Sequence, residues 1–336
     1  MNILLTGGAG YIGSHTAVEL SLAGHKIIIF DNFCNSDRLV VERIRQIIKT
    51  DFAVIEGDML DAVLLRSVLT NYSIDAVIHF AGLKAVGEST LEPLKYYINN
   101  VSGAAQLLAS MNICNVKKLV FSSSATVYGE PQYLPYDEHH PTLPINPYGR
   151  TKLQVEEMLK DLSISNAEWS IVVLRYFNPV GAHESGLIGE DPCGVPNNLM
   201  PYVTKVASRE LSHINIFGND YQTKDGTGER DYIHVMDLAS GHLAALNHIK
   251  TNTGYYLINL GSGIFTTVLD LVKTFEKNTH IKIPYIFTLR RKGDLASYYA
   301  DPTLAKKILN WEAKRSLDDM CLTAWNWYKN AKSKLI

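Results

Sequence analysis

Tyr148 and Lys152 are the residues whose types and spacing most directly indicate chemistry, because they lie four positions apart. On a helix this spacing places both side chains on one face. A lysine ammonium beside a phenol stabilises the phenolate, so we predict that Lys152 lowers the pKa of Tyr148 from about 10 towards working pH. A phenol with such a pKa can take and return a proton. The same pair also occurs on exposed helices without a chemical role, so the surrounding sequence must decide.

A serine run stands where it can join this pair. The segment 122–129 follows the fifth predicted strand and opens with Ser122, Ser123 and Ser124. The end of that strand lies at the ligand-binding edge of an open α/β sheet, so Ser124 can reach the same cleft as Tyr148 and Lys152. We predict that Tyr148, Lys152 and Ser124 form a catalytic, proton-handling set.

A glycine-rich segment, Gly-Gly-Ala-Gly-Tyr-Ile-Gly at 7–13, directly follows the first predicted strand. Glycines at these spacings permit a tight turn and the close approach of a pyrophosphate to the N-terminus of the next helix. Asp31 ends the second predicted strand, where a carboxylate binds the adenosine ribose and repels a 2′-phosphate. The sequence therefore predicts NAD rather than NADP. The alternative is an ordinary loop turn and a solvated strand end.

Two further strand ends lie where a cofactor would run along the top of the sheet. Asp58 closes the third predicted strand, and Phe80, Ala81 and Gly82 close the fourth. Asp58 by itself would also fit a plain turn.

The first half of the sequence alternates short β-branched runs with segments of helical period, which is typical of a parallel sheet with crossover helices. The predicted strands are Asn2 to Thr6, Lys26 to Phe30, Phe52 to Glu56, Ala76 to Phe80, Lys118 to Ser122 and Ser170 to Arg175. After about Asn178 the pattern becomes loops rich in Pro, Gly and Asn, with helical pieces near Met200 to Glu210, Met236 to His248 and Val268 to Asn278. We predict an α/β fold with a Rossmann-like, doubly wound parallel sheet and a smaller mixed α/β C-terminal lobe. The predicted domains are 1–177 for cofactor and catalysis and 178–336 mainly for substrate, with segments returning to the first.

Composition excludes several other classes of protein. The 336 residues are 46% hydrophobic and 20% charged, with a formal net charge of -2. A near-neutral chain gives no electrostatic case for nucleic acid or an anionic membrane as the main partner. The apolar runs are too short to span a membrane, no secretion signal is expected, and the four cysteines are widely scattered, so we predict a cytoplasmic protein with reduced thiols.

Three longer segments carry a resemblance to a known family. They are 79–89 (His-Phe-Ala-Gly-Leu-Lys-Ala-Val-Gly-Glu-Ser), 175–182 (Arg-Tyr-Phe-Asn-Pro-Val-Gly-Ala) and 230–235 (Arg-Asp-Tyr-Ile-His-Val). Together with the glycine segment and the catalytic set, they make the chain resemble, from end to end, the UDP-hexose 4-epimerases of the extended short-chain dehydrogenase/reductase family. The resemblance implies tightly bound NAD and interconversion of UDP-galactose and UDP-glucose through a 4-keto sugar, with Tyr148 moving the proton of the 4-hydroxyl.

The resemblance also implies two sets of binding residues. The implied NAD-binding residues are Gly7, Gly10, Tyr11, Ile12, Gly13, Asp31, Asn32, Asn35, Ser36, Asp58, Met59, Phe80, Ala81, Gly82, Lys84, Asn99, Ser122, Tyr148, Lys152, Tyr176 and Phe177. The implied UDP-sugar-binding residues are Ser124, Tyr148, Asn178, Asn198, Leu199, Asn215, Ile216, Phe217, Arg230, Arg291, Asp294 and Tyr298. No metal is expected, since His139 and His140 lack a partner at ligand spacing and His79 fits a hydrogen-bonded core residue.

Some of these assignments have alternatives. The run 290–292 fits a solvated charge cluster, and Arg230 with Asp231 fits a local ion pair. Lys292 and Ala296 stand in a loop where many family members carry prolines, and a looser loop there would alter the choice of sugar. A bulky Tyr298 favours UDP-glucose and UDP-galactose over their N-acetylated forms.

Other reactions on the same scaffold require different residues. A nucleotide-sugar 4,6-dehydratase needs an Asp-Glu pair directly after the catalytic serine, where this chain has Ala125 and Thr126. A non-catalytic NAD sensor would tend to lose Tyr148 or Lys152. A reductase with exchangeable NADPH is disfavoured by Asp31.

A homodimer is expected from apolar helical stripes. Leu94, Ile98, Val101, Ala105 and Leu108 recur at helical spacing, and Val155, Leu159 and Leu162 follow Lys152 on its helix. In related enzymes these two helices pair across a twofold axis. The same stripes would also suit packing against the sheet.

Overall fold

A seven-stranded parallel sheet organises the chain, in a computed structural model that describes residues 1–192, 196, 198–291 and 293–333. Its strands are β1 (Asn2–Thr6), β2 (Lys26–Asp31), β3 (Ala53–Glu56), β4 (Ala76–His79), β5 (Lys118–Ser124), β6 (Ser170–Tyr176) and β10 (Gly254–Leu260). The six strands predicted in the first half are confirmed to within two residues at each end.

Twelve α-helices surround the strands in the described part of the chain. They are α1 (Tyr11–Leu22), α2 (Leu39–Ile48), α3 (Ala62–Asn71), α4 (Val86–Leu91), α5 (Pro93–Tyr96), α6 (Gly103–Ile113), α7 (Pro147–Ser165), α8 (Leu199–Ala207), α9 (Val235–Ile249), α10 (Val268–Thr279), α11 (Thr303–Leu309) and α12 (Leu317–Ser333). A π-helical segment over Tyr97–Ser102 joins α5 to α6, and a 3₁₀ turn over Ala125–Val127 follows β5.

Alternate residues of each central strand enter separate cores on the two faces of the sheet. In β1, Ile3 and Leu5 pack with α1, α2 and α9 on one face, whereas Leu4 packs with α3, α6 and α7 on the other. Covering both faces explains why these strands read as continuous apolar runs. The result is the predicted doubly wound, Rossmann-like fold.

The strand order β10-β6-β5-β4-β1-β2-β3 reverses direction between β1 and β4. In open α/β sheets, ligands bind outside the carboxyl ends of the strands at such a reversal. The glycine segment after β1, Gly82 after β4 and Ser124 at the end of β5 all lie at this edge.

Smaller sheets form in the second half. β9 (Glu229–His234) pairs with β7 (Asn178–Val180), β11 (Phe265–Thr267) and β13 (Ser297–Tyr298), while β8 (Ile214–Phe217) pairs with β12 (Tyr285–Thr288). β10 belongs to the main sheet although it lies late in the sequence, and α9 packs on that sheet through Leu238 and Leu246. The division at residue 177 remains a prediction.

The predicted helical stripe from Leu94 to Leu108 is helical throughout, but the helix is not regular. α5, the π-helical segment and α6 follow one another without a break from Pro93 to Ile113. Leu94 is 74% exposed and Ile98 is 53% exposed, whereas Leu108 is buried in the core. Val155 and Leu159 on α7 are also buried against the sheet, so the interpretation of these two residues as a dimer surface is wrong.

No helix in the described ranges is both long enough and apolar enough to cross a membrane. Cys34, Cys114 and Cys321 are free thiols. Cys193 lies outside the described residues.

Candidate active site

One cavity of about 1600 Å³ runs along the carboxyl edge of the main sheet and under the loops of the second half. Typical sites for one small molecule measure roughly 300–1,000 Å³, so this cavity has room for two adjacent ligands. Every predicted NAD-binding residue except Asp58 lines it, as does every predicted substrate-binding residue except Tyr298. Both predicted sets thus meet in one space.

Residues 7–13 form a turn, here called the glycine turn, with a surface that fits a pyrophosphate. Gly7 has φ +70°, and a Cβ there would lie 2.6 Å from the backbone N of Ala81. A Cβ on Gly13 would lie 2.5 Å from the Gly7 carbonyl oxygen. α1 begins directly after Gly10, and no side chain caps its N-terminus. The positive end of α1 is therefore available to an anion in the cavity.

Asp31 faces this turn from the end of β2. Its Oδ2 accepts a hydrogen bond from the Ala9 N–H at 2.9 Å, and its Oδ1 accepts from the Phe33 N–H at 2.9 Å. Burial raises the carboxyl pKa, and these backbone hydrogen bonds oppose the rise. An acceptor fixed here suits ribose hydroxyls and disfavours an added phosphate. The exposed Asp58 accepts a hydrogen bond from Asn32 at 3.2 Å, beside the cavity rather than on its wall.

The start of α7 brings Tyr148 to the end of β5. Asn146 caps the helix, its Oδ1 accepting a hydrogen bond from the Gly149 N–H at 2.8 Å, and Pro147 occupies the first turn. A Cβ on Gly149 would lie 2.8 Å from the Thr126 carbonyl oxygen, so a glycine allows the helix to approach the turn after Ser124 closely. Tyr148 and Ser124 consequently face the same part of the cavity.

Lys152 lies one helical turn beyond Tyr148 and is buried. Its Nζ donates a hydrogen bond to the Ser122 carbonyl oxygen at 2.7 Å and lies 5.9 Å from the centroid of the Tyr148 ring. The shared helix face predicted from the sequence is therefore present.

The predicted direction of the Tyr148 pKa shift is wrong for the polypeptide alone. Burial raises the pKa of Tyr148 to about 12, and only the Ser124 hydroxyl opposes this. Burial likewise lowers the pKa of Lys152 to about 8. The spacing of Tyr148 and Lys152 in the sequence predicts a positive charge near the phenol. It does not predict that both side chains are buried, and burial has the larger effect on the pKa of Tyr148.

Asn100 is a site residue that sequence reasoning missed. Its Oδ1 accepts from the Leu83 N–H at 2.8 Å, and its Nδ2 donates to the Leu83 carbonyl at 3.0 Å and the Thr151 hydroxyl at 3.2 Å. Asn100 thereby joins the loop after β4 to α7, beside Lys152. The only signal was an Asn-Asn pair inside an apolar stripe, and the π-helical segment that turns Asn100 inward is not visible in the sequence.

Arg230, Arg291 and Asp294 form a further part of the cavity lining, here called the arginine wall. Arg291 donates to Asp294 through Nε at 2.8 Å, and an Arg230 nitrogen lies 3.8 Å from the same carboxylate. The Arg291 guanidinium also lies 4.8 Å from the centroid of the Phe217 ring on β8. Two cations against one anion leave net positive charge, which suits a diphosphate.

Of the two alternatives for these charges, the Arg230–Asp231 ion pair is wrong, whereas the solvated cluster fits the exposed Arg290, and Arg291 is half exposed and also lines the cavity. Asp231 is fully buried and accepts backbone hydrogen bonds from Ser262 at 2.8 Å and Gly263 at 3.0 Å, so it is not the partner of Arg230. Within the run 290–292, Arg290 pairs with the exposed Asp220, while Lys292 lies outside the described residues.

Asn178 and Asn198 line the cavity between the catalytic set and the arginines. The buried Oδ1 of Asn178 has no hydrogen-bond partner in the protein. Asn198 donates to Glu190 Oε1 at 2.6 Å, and the same oxygen lies 3.4 Å from the Nζ of Lys84. Glu190, also missed in the sequence, thus connects a predicted cofactor residue to a predicted substrate residue.

Tyr298 lies behind the cavity wall rather than on it. Its ring contacts those of Tyr136 and Phe177, with centroids 5.2 and 5.1 Å away, and its hydroxyl is buried without a partner. Phe177 does line the cavity, so Tyr298 is separated from the cavity by this neighbour.

The histidine and metal expectations are compatible with the described residues. His79 is buried, hydrogen bonds to the Thr6 hydroxyl at 2.6 Å and stacks on Phe121, which confirms it as a core residue. Within the described ranges, no group of three His, Cys, Asp or Glu side chains could hold a metal ion.

Comparison with known proteins assigns the chain to a family. A UDP-glucose 4-epimerase of Bacillus subtilis is 54% identical over 97% of this chain and 96% of its own length. The chain belongs to the UDP-glucose 4-epimerase family. A family model described as GDP-mannose 4,6 dehydratase also matches residues 4–323.

Solved structures of UDP-glucose 4-epimerases share the fold over the whole chain. One from Stenotrophomonas maltophila, with bound NAD and formylated UDP-arabinopyranose, has a TM-score of 0.98 at 48% identity and covers 100% of both chains. Another, from Bifidobacterium longum in complex with NAD+ and UDP, has a TM-score of 0.95 at 49% identity and covers 99% of both. The 4-epimerase fold therefore extends from the glycine turn to the arginine wall.

Proposed function

We propose that this protein interconverts UDP-galactose and UDP-glucose by C4 epimerisation through a 4-keto sugar, using tightly bound NAD. The observation that carries the proposal is that Tyr148, Lys152 and Ser124 line one cavity together with the glycine turn and the arginine wall, and that this cavity has room for two ligands.

Tyr148 takes the proton from the sugar 4-hydroxyl and later returns it. Bound NAD supplies the acceptor and donor of the hydride at C4. Because burial raises the pKa of Tyr148 to about 12, its phenolate must be stabilised by positive charge when it forms. Lys152 supplies such a charge from the next turn of α7, and Ser124 donates a hydrogen bond to the reacting oxygen.

The arginine wall holds the part of the substrate that does not react. Arg230 and Arg291 offer planar donors to the diphosphate, and the amides of Asn178 and Asn198 lie between the wall and the catalytic set. Binding of this kind leaves the sugar free to turn about its link to the diphosphate. A 4-keto sugar that turns over can receive the hydride on either face, which inverts C4 without net oxidation.

The experiment is incubation of the purified protein with UDP-galactose and no added cofactor. We expect UDP-glucose by chromatography and transient bound NADH by absorbance, and we expect Tyr148→Phe to lower the rate about 100- to 10,000-fold. Loss of water to give a 4-keto-6-deoxy sugar would instead support a 4,6-dehydratase. Ala125 and Thr126 form the turn directly after Ser124, so the carboxylates required for that elimination are missing there.

Sugar selectivity is the finer part of the proposal. Tyr298 packs against Phe177, which lines the cavity, so a bulky side chain at 298 keeps the pocket narrow. We expect UDP-glucose to be turned over in preference to UDP-N-acetylglucosamine, and Tyr298→Ser to reduce that preference. Comparable turnover of both sugars by the wild-type protein would favour a broader nucleotide-sugar epimerase.

A homodimer remains a proposal. Leu91, Leu94 and Ile98 are exposed on consecutive helical pieces, with Leu91 83% exposed. An apolar surface of this kind is typical of an interface. Light scattering at micromolar concentration should show a dimer that Leu94→Lys with Ile98→Lys dissociates. A wild-type monomer would contradict it. We also propose a cytoplasmic location, which the free thiols at Cys34, Cys114 and Cys321 support because such thiols suit a reducing compartment. A role in galactose metabolism follows from the proposed substrates.

A further inference from the structure

Three buried polar side chains behind the catalytic set take no part in the proposed reaction. Ser123 is 1% exposed, and Glu156 and Arg175 are each 3% exposed. Arg175 donates to Glu156 Oε1 through Nε at 3.0 Å and to Oε2 through Nη2 at 2.5 Å. The Ser123 hydroxyl donates to the same carboxylate. We call Ser123, Glu156 and Arg175 the buried clamp.

The clamp connects the elements that carry the catalytic residues. Glu156 lies on α7 one turn beyond Lys152, which itself lies one turn beyond Tyr148. Ser123 lies on β5 between Ser122, whose carbonyl accepts the hydrogen bond of Lys152, and Ser124. Three consecutive residues of β5 thus contact three consecutive turns of α7.

Arg175 completes the clamp from the neighbouring strand. It is the register partner of Ser123 in the β5–β6 pair. Its guanidinium also lies 4.6 Å from the centroid of the Tyr128 ring, in the segment directly after the 3₁₀ turn. Arg175 therefore contacts both α7, through Glu156, and the chain that leaves Ser124.

Stability alone is a weak explanation for this arrangement. Removing two charges from water costs as much as their mutual attraction returns, so buried ion pairs are often replaceable by apolar side chains of similar size without loss of stability. Hydrogen bonds fix the distance and angle between two elements of the fold, whereas an apolar pair of similar size does not. Catalysis needs such fixed geometry, and a misplacement of about 1 Å can cost about 100-fold in rate.

We propose that the buried clamp is a set of positioning residues. It holds Tyr148 and Lys152 on α7 at the correct position along β5, beside Ser124. Glu156 and Arg175 do not line the cavity, whereas Ser123 reaches its wall between Ser122 and Ser124. The proposal rests on the proposed epimerase function, since the effect of the clamp is expressed in that rate.

The main test is the double variant Glu156→Met with Arg175→Met, which keeps volume and removes both charges together. We expect its thermal unfolding temperature to stay close to that of the wild type. Its kcat for UDP-galactose should fall about 10- to 100-fold with KM changed less than about twofold, because the residues assigned to the diphosphate, Arg230 and Arg291, lie outside α7, β5 and β6.

A second variant separates position from stability. Glu156→Gln keeps side-chain length, and its amide oxygen can still accept from Ser123 and from Arg175 Nε, but it loses the acceptor for Arg175 Nη2 and leaves a buried guanidinium without its anion. We expect Glu156→Gln to unfold at a lower temperature than the double variant and yet to have the higher kcat. A merely structural role predicts the reverse order, with activity following stability.

Arg315→Met is the matched control, since it breaks the ion pair with the buried Asp237 on α9, away from the cavity wall. It should lower the unfolding temperature and leave kcat unchanged. If the wild type is active and the double variant is equally active, the proposal for the clamp is overturned while the proposed function stands. The same holds if activity follows unfolding temperature across all variants. An inactive wild type overturns the proposed function and the clamp with it.

Discussion

The two ends of the cavity are lined by different kinds of group, backbone groups at one end and side chains at the other. At the sheet end, the glycine turn and the carboxyl ends of β1, β2 and β4 present backbone groups held by the main sheet. At the arginine end, Arg230, Arg291 and Asn178 present long or amide side chains from short strands and loops. Backbone in a sheet is fixed by the fold. At the arginine end, Arg230 and Arg291 share the Asp294 carboxylate, and the buried Oδ1 of Asn178 has no partner in the protein, so hydrogen-bonding capacity is left for a ligand. We therefore expect changes at the sheet end to cost stability and changes at the arginine end to cost affinity.

The largest expected effect breaks the sheet end. In Gly7→Val, a side chain would have to adopt φ +70° with its Cβ 2.6 Å from the backbone N of Ala81. Left-handed strain costs about 1–2 kcal/mol and overpacking about 1–3 kcal/mol, so we expect a loss of about 2–5 kcal/mol in unfolding free energy. Urea unfolding measures it. Gly24→Val is the matched control, since Gly24 has φ +83° with nothing within 4 Å of a Cβ. Equal losses in both variants would show that the close approach at Gly7 is unimportant.

The next effect tests the arginine end by affinity. Arg230→Gln leaves Asp294 paired with Arg291 but removes the donor to the Glu229 and Leu295 carbonyl oxygens, so we expect a loss of about 1–3 kcal/mol in unfolding free energy. Loss of a charge-assisted hydrogen bond should weaken UDP binding by about 1.5–3 kcal/mol, or about 10- to 150-fold. Calorimetric titration with UDP measures this. Arg290→Gln is the control, because Arg290 pairs with the exposed Asp220 and does not line the cavity. Equal losses of affinity in both variants would argue against a specific role for Arg230.

The difference between the two ends also decides what the sequence could predict. The strands, the glycine turn and the helix face of Tyr148 and Lys152 follow from local patterns, because period, glycine and spacing are local properties. The buried Asn100, the clamp of Glu156 with Arg175 and the raised pKa of Tyr148 were missed. Each depends on burial by residues distant in sequence, which no local pattern records.

The response to pH gives a third comparison, between four buried histidines and the arginines that line the cavity. Burial lowers the pKa of His15 and His79 to about 3, and those of His234 and His242 to about 4. The unfolded chain binds these protons near pH 6.5 and the folded chain does not, so stability present above pH 6.5 is lost as pH falls towards 4. Each histidine contributes up to about 1.4 kcal/mol per pH unit.

Urea midpoints at pH 7.0, 6.0 and 5.0 would measure this slope. The guanidinium groups keep their charge over the same range, so UDP binding to the fraction that remains folded should change far less than stability. His79→Gln should reduce the slope by the share of one histidine. Stability that stays constant down to pH 5 would contradict the assignment of these four histidines as neutral and buried.

The smallest expected effect concerns one atom at the arginine end of the cavity, the side-chain oxygen of Asn178. Asn178 Oδ1 is buried with no partner in the protein, so the folded chain already bears the cost of desolvating it. Asn178→Ala should therefore leave the unfolding free energy unchanged or slightly raised, while UDP binding weakens by about 0.5–1.5 kcal/mol, the value of one neutral hydrogen bond. Thermal unfolding with and without UDP would measure both effects on one sample. A clear loss of stability without ligand would mean that Asn178 supports the fold as the sheet end does, and the contrast between the two ends would not extend to this residue.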